Sequence, residues 1–120
     1  MRRLYNIIIG VTFALLLTAC GKQGKAESLV KAFIEQNAEM PDKMKTLSFG
    51  KIDSTKVISD SLIMVLQTRE HELFRKDINY TAHTAGRMLY YVRMKYAYGN
   101  DTLQQTFYMD ESLEQIVAFK

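Results

Sequence analysis

The stretch that decides the fold is residues 88–109, MLYYVRMKYAYGNDTLQQTFYM. From Tyr90 to Tyr98, large apolar or aromatic side chains fall at every second position, which is the period of a β-strand with one buried face. Residues 99–101, Gly-Asn-Asp, predict a turn because Gly and Asn tolerate a positive φ. A return strand with the same alternation runs to Met109. The stretch therefore predicts an antiparallel hairpin.

Segments on both sides of this hairpin complete an α+β fold. Downstream, residues 110–112 turn the chain and residues 115–119 add a third strand, which makes a three-stranded meander. Upstream, residues 26–39 and about 60–74 carry apolar side chains at helical spacing, although 63–66 alone would also fit a strand. We expect two helices packed on one face of a C-terminal antiparallel meander of three to four strands.

Two less regular segments connect these elements. Residues 46–53 predict a short strand with Gly50 as a bulge. Residues 77–87 show no period and predict a loop. With one Pro and no internal repeat, residues 26–120 are expected to form a single small α+β domain.

The positive charge of the chain is concentrated at its start. The 120 residues carry 48% hydrophobic side chains and a formal net charge of +3. Arg2 and Arg3 supply two of these charges, and removing residues 1–19 leaves 14 basic against 13 acidic side chains, a net charge of +1. A domain of this size and near neutrality excludes a multidomain enzyme, a disordered chain and a basic nucleic-acid face.

The amino terminus has the parts of a secretory signal peptide. A basic start, Met1-Arg2-Arg3, is followed by the apolar run 4–17 and then by small residues up to Ala19. A transmembrane helix is the alternative, but such a helix needs about 20 apolar residues. A buried helix of the domain conflicts with the near absence of a polar face. We expect residues 1–19 to be a signal peptide.

The signal peptide ends in Leu17-Thr18-Ala19-Cys20-Gly21, which resembles the bacterial lipobox and the residue that usually follows it. In length and layout the chain also resembles small envelope lipoproteins of Bacteroides-type bacteria. The resemblance implies that signal peptidase recognises Leu17, Thr18, Ala19 and Gly21, cleaves before Cys20, and leaves this cysteine with a diacylglyceryl group and often an acylated amino group. Two or three acyl chains anchor a protein stably. The other interpretation of Cys20, a buried core thiol, has no neighbouring core segment to support it.

The residues after Cys20 bear on where the protein is held. Residues 21–25 predict a flexible tether, since two Gly and two Lys provide no apolar face. In the lipoproteins that the motif resembles, Asp after the cysteine often marks retention in the inner membrane, and acidic runs mark surface exposure. Gly21, Lys22 and Lys25 fit neither signal. The resemblance therefore implies an exported lipoprotein of the outer membrane that faces the periplasm.

The densest candidate binding face is the tyrosine-rich hairpin. Tyr90, Tyr96, Tyr98 and Tyr108 could line a groove for a sugar, a peptide or a lipid headgroup, and Arg93 adds a cation on the opposite register. The alternative is that these tyrosines pack through their rings as ordinary strand residues.

Residues for catalysis or metal binding form no motif. His71 and His83 are two separated histidines without a Cys partner, so the sequence predicts neither a metal site nor a cofactor, and Glu70-His71-Glu72 is expected on a solvated helix face. No nucleophile elbow, Cys/His pair or paired carboxylate appears, so no catalytic residue is assigned.

Three tripeptides resemble the O-glycosylation pattern of Bacteroides-type bacteria. They are DST at 53–55, DSL at 60–62 and DTL at 101–103, with Ser54, Ser61 and Thr102 as the acceptors. Asp-Ser and Asp-Thr are also common at turns and helix caps for backbone reasons.

These features predict a non-enzymatic, lipid-anchored envelope protein. Its expected partners are the lipid bilayer, through Cys20, and either an envelope protein or a small ligand, with no nucleic acid. The first alternative is a periplasmic ligand-binding or inhibitory module with a Tyr/Met-lined pocket, and a small hydrolase is the second. A polar-lined cavity of a few hundred Å³ at the sheet would favour ligand binding.

Overall fold

The computed structural model describes residues 21–56, 58–80 and 88–120. In this part of the chain, helix α1 covers residues 21–37 and a 3₁₀ turn follows at Pro41–Lys43. The remaining elements are β1 (Met44–Phe49), β2 (Asp53–Thr55), α2 (Asp60–Thr68), β3 (Leu89–Tyr98), β4 (Asp101–Met109) and β5 (Ile116–Phe119). The predicted signal peptide, Cys20, His83 and the loop residues 81–87 lie outside the described residues.

The strands form one antiparallel sheet in the order β1-β3-β4-β5, and β2 pairs with β3 alongside β1. The predicted α+β class and the meander of β3, β4 and β5 are confirmed. The hairpin register runs from Tyr90 opposite Met109 to Tyr98 opposite Asp101. The turn is therefore one residue shorter than predicted, and Gly99 takes the positive φ of 61°.

The predicted strand 46–53 is in fact two strands. β1 ends at Phe49, and β2 begins at Asp53. The bulge lies between Thr46 and Ser48 instead of at Gly50, whose N–H donates to the Arg93 carbonyl at 2.7 Å. In the described part of the chain the sheet therefore has five strands, and residues 50–52 connect β1 to β2 at its edge.

The helices cover both faces of the sheet, which corrects the expectation of one covered face. α1 packs on the face that carries the even-numbered side chains of β3. The buried members of this cluster are Ala26, Val30, Phe33, Ile34, Ala38, Met44, Phe74, Val92, Met94, Tyr96, Phe107, Met109, Leu113, Ile116 and Phe119. α2 packs on the other face. Its cluster consists of Ile63, Leu66, Leu89, Tyr108, Val117 and Ala118, with Ile58 and Tyr91 packed against it.

The start of α1 and the end of α2 differ from the prediction. Within the described residues α1 already includes residue 21, five residues before the expected start at residue 26. α2 starts as predicted, with the Ser59 hydroxyl accepting the N–H of Leu62 at 3.2 Å, but it ends at Thr68. Phe74 was expected on α2, and instead it forms a β-bridge with Ala38 and packs under α1. The chain has to leave the helix to bring this side chain to the other face of the sheet.

Candidate functional site

The tyrosines predicted to form a binding face do not share one surface. Tyr90, Tyr96 and Tyr98 lie on the α1 face, where Tyr96 is completely buried and the other two are partly buried. Tyr108 is buried under α2 on the other face, which also carries Arg93. The alternative interpretation, ring packing in the core, therefore fits Tyr96 and Tyr108. Burial raises the pKa of Tyr96, whose hydroxyl has no hydrogen-bond partner among the described residues.

The face of the sheet that α2 covers is open beyond Tyr91. The next two residues of β3 on this face are Arg93 and Lys95, and both are exposed. Lys45 of β1 lies opposite Ala97 on the same face, and the Lys120 ammonium lies 6.0 Å from the ring centroid of Tyr108. We call Lys45, Arg93, Lys95 and Lys120 the basic strip.

Among the described residues, no carboxylate lies directly across the strands from the β3 cations of the basic strip. Lys95 has Ser48 and Gln104 as its cross-strand neighbours, and Arg93 has Thr106 opposite it on β4. Directly opposite side chains are about 5 Å apart, and diagonal neighbours are about 7–8 Å apart. Asp53 lies opposite Tyr91 and is therefore diagonal to Arg93, but it accepts the Tyr91 hydroxyl at 3.5 Å and forms no ion pair with Arg93 in the described part of the chain. The strip therefore keeps its positive charge available to another molecule.

The outer face of α2 adds apolar surface on the same side of the sheet. Ile63 and Leu66 point inward, while Met64 and Val65 are 66% and 59% exposed. Leu62 is also exposed. This side of the molecule therefore combines an exposed apolar helix face with exposed cations. We take it as the main candidate surface for contact with a partner.

A separate groove lies on the α1 side. It has a volume of about 370 Å³ and is bounded by α1, Asn79 and the turn between β4 and β5. Its lining residues are Leu29, Ala32, Phe33, Gln36, Asn37, Asn79, Glu114, Gln115 and Ile116. No Tyr or Met belongs to this lining, so the groove differs from the predicted Tyr/Met-lined pocket. Its volume is within the range of small-molecule sites.

His71 lies beyond the end of α2 and is partly buried, so the prediction of a solvated helix face was wrong for this residue. Its ring is 5.3 Å from that of Phe74, and its Nδ1 accepts the N–H of Leu73 at 3.2 Å. Nε2 therefore carries the proton and faces the side-chain amide of Gln105. The structure has the Gln105 Nε2 toward this proton. Because only the amide oxygen can accept it, we exchange the two amide atoms, so that Oε1 of Gln105 faces His71.

The described residues contain no group of three or more His, Cys, Asp or Glu side chains that could hold a metal ion. The three predicted glycosylation acceptors are all exposed. Ser54 lies in β2, Ser61 in the first turn of α2, and Thr102 is the second residue of β4.

Residues 21–25, predicted to be a flexible tether, are the first turns of α1. The reason is that Gln23 and its neighbours find partners on the sheet. Gln23 accepts the N–H of Ile52 at 2.7 Å through Oε1 and donates to the Gly50 carbonyl at 2.9 Å through Nε2. Sequence reasoning missed Gln23, and nothing in its local sequence signals these long-range contacts.

Sequence comparison adds no family to this geometry. No protein-family model matches the chain, and neither a curated protein nor a solved structure matches it. Over the described residues, no helix has the length and apolarity needed to cross a membrane. The lipobox resemblance therefore rests on residues 17–21 and the apolar run before them.

Proposed function

We propose that this protein is a lipid-anchored lipoprotein of the bacterial envelope that binds a partner without catalysis. In this proposal Cys20 holds the domain at the outer membrane, on the periplasmic side. The basic strip and the outer face of α2 form the binding surface. The partner is an envelope protein with an acidic surface, since the described strands place no carboxylate directly opposite Arg93 or Lys95.

The roles of the polar side chains support binding over catalysis. The Ser59 hydroxyl caps α2, and the Ser112 hydroxyl donates to the Asp110 carboxylate at 2.9 Å. The ring nitrogens of His71 both have partners within the fold. A nucleophile and its base must instead face each other with room for a substrate.

Charge reversal on the strip tests the proposed binding surface. We expect the double substitution Arg93→Glu and Lys95→Glu to abolish crosslinked adducts with the acidic partner in intact cells, because attraction becomes repulsion. The measurement is in-cell crosslinking followed by mass spectrometry of the captured proteins. The double substitution Arg75→Glu and Lys76→Glu is the charge-matched control. Both side chains are exposed beside the end of α1, and the ion pair of Lys76 with Glu70, at 4.0 Å, lies at the surface. Identical adducts from the double variant and wild type would contradict the proposal.

The groove beside α1 favours a second candidate, a periplasmic small-ligand-binding module. We expect Ala32→Trp to fill the groove without disturbing the core, because Ala32 is an exposed lining residue. Native mass spectrometry of protein isolated from its own envelope measures any bound small molecule. Loss of a bound mass in Ala32→Trp, with retention in the exposed Glu35→Trp control on the other flank of α1, would support this candidate. No bound mass in wild type would count against it.

A further inference from the structure

We propose that the lipidated amino terminus is joined rigidly to the domain, so that one end of the sheet faces the bilayer. This end consists of residues 50–52, Tyr90 and Ser112, and we call it the anchor end. The inference rests on the proposed lipidation of Cys20. It adds an orientation on the membrane, which lipidation by itself does not provide.

The first step is covalent geometry. Cys20 and Gly21 are consecutive, so their Cα atoms are 3.8 Å apart whatever the conformation of Cys20. Gly21 already belongs to α1, and the first fully buried residue of that helix is Ala26. The helix spans these five steps in about 7.5 Å, whereas an extended spacer would reach roughly 17 Å. The acyl chains therefore begin very close to the folded domain.

The second step is the fixation of this helix start by Gln23. Its side-chain amide bridges two backbone groups of the crossing between β1 and β2, the Ile52 N–H and the Gly50 carbonyl. It also donates to the Glu27 carboxylate at 3.0 Å, one helical turn later. One residue thus connects the start of α1 to the edge of the sheet at several points.

The third step is that the neighbouring lysines reach two other places. The Lys22 ammonium donates to the Tyr90 hydroxyl at 3.0 Å and lies 5.3 Å from the centre of that ring. The Lys25 ammonium donates to the Ser112 carbonyl, in the turn between β4 and β5, at 3.2 Å. The start of α1 thus contacts three separate parts of the anchor end, through Lys22, Gln23 and Lys25. These contacts oppose rotation of the helix start relative to the sheet.

The charge of the anchor end suits a phospholipid surface. Lys22, Lys25 and Lys51 are all exposed there. Cations next to an acyl anchor are attracted to anionic headgroups at about 1 kcal/mol each in general. The occupant of this surface is therefore the bilayer that holds the acyl chains, and the hairpin turn at Gly99 and Asn100 points away from it, about 30 Å along β3.

Spin labels at the anchor end and at the hairpin turn test the orientation. The mature acylated protein, which begins at Cys20, is placed in vesicles of phosphatidylethanolamine and phosphatidylglycerol, with a nitroxide on Lys51→Cys or on Asn100→Cys. Cys20 is blocked by its lipid, so only the new thiol is labelled. We expect a water-soluble nickel chelate to reach position 51 severalfold less than position 100. Equal access at the two positions would overturn the inference.

Loosening the helix start provides the second measurement. Gln23→Ala removes the bridge to residues 50–52, and we expect the difference between positions 51 and 100 to shrink. Gln36→Ala, on the exposed side of the same helix, is the matched control and should keep the wild-type difference. Fatty-acid labelling separates the two proposals. A labelled protein with equal access at both positions overturns only the orientation, whereas an unlabelled protein overturns the lipid anchor as well.

Discussion

At the scale of single residues, His71 shows how one polar side chain is accommodated beside an aromatic cluster. Its Nδ1 accepts a backbone N–H, and its Nε2 faces Gln105. Burial lowers the pKa of His71 below its ordinary value, Glu72 opposes this effect, and Arg69 adds to it. A second proton would place an N–H at Nδ1, facing the Leu73 N–H, so the neutral ring fits the fold better.

This arrangement predicts a loss of stability on acidification. As the pH falls through about 6.5, the unfolded chain binds a proton at residue 71 before the folded chain does. The free energy of unfolding should therefore decrease between that pH and the lower folded-state pKa. Urea unfolding of wild type and His71→Phe over this range measures the effect, since His83 is present in both proteins. The same pH dependence in both would contradict the assigned role.

At the scale of elements, the sequence predicts a helix or strand best where burial of one face sets the spacing of its apolar residues. The hairpin follows from the alternation in β3 and β4. The sequence alone did not show which face of the sheet α2 covers. Apolar side chains lie on both faces of β3, with Val92 on one face and Leu89 and Tyr91 on the other. α2 was predicted too long since Phe74 fits its helical period and yet packs under α1.

The start of α2 offers a matched pair of serines for a stability prediction. Ser59→Ala removes the hydroxyl that accepts the Leu62 N–H and should lower the free energy of unfolding by about 0.5–2 kcal/mol. Ser61→Ala, two residues later and exposed, should change it by less than about 0.5 kcal/mol. Urea unfolding of the unmodified proteins compares the two. Equal effects would mean that Ser59 is not the cap.

At the scale of the whole molecule, the positions of the charged side chains matter more than the net charge. The domain after residue 19 has a net charge of only +1, yet the open side of its sheet carries the basic strip. Lys45 becomes a neighbour of the β3 cations only through the pairing of β1 with β3, which the sequence alone does not specify. The proposed role of Cys20, in contrast, follows from a local sequence motif and does not depend on strand pairing.

Relocating the cysteine provides the control for the anchor. Ser28 is exposed on α1, so Ser28→Cys restores a thiol without disturbing the fold. The double variant Cys20→Ala and Ser28→Cys should not regain membrane attachment, because the lipobox requires the cysteine directly after residues 17–19.

The central claim is that Cys20 is the attachment point. Its most direct test is fatty-acid labelling with membrane fractionation of wild type and Cys20→Ala. We expect wild type to be labelled and membrane-bound, and Cys20→Ala to lose the label and leave the membrane fraction. Retention of unlabelled Cys20→Ala in the membrane at the wild-type level would contradict the claim and indicate an uncleaved amino-terminal helix instead.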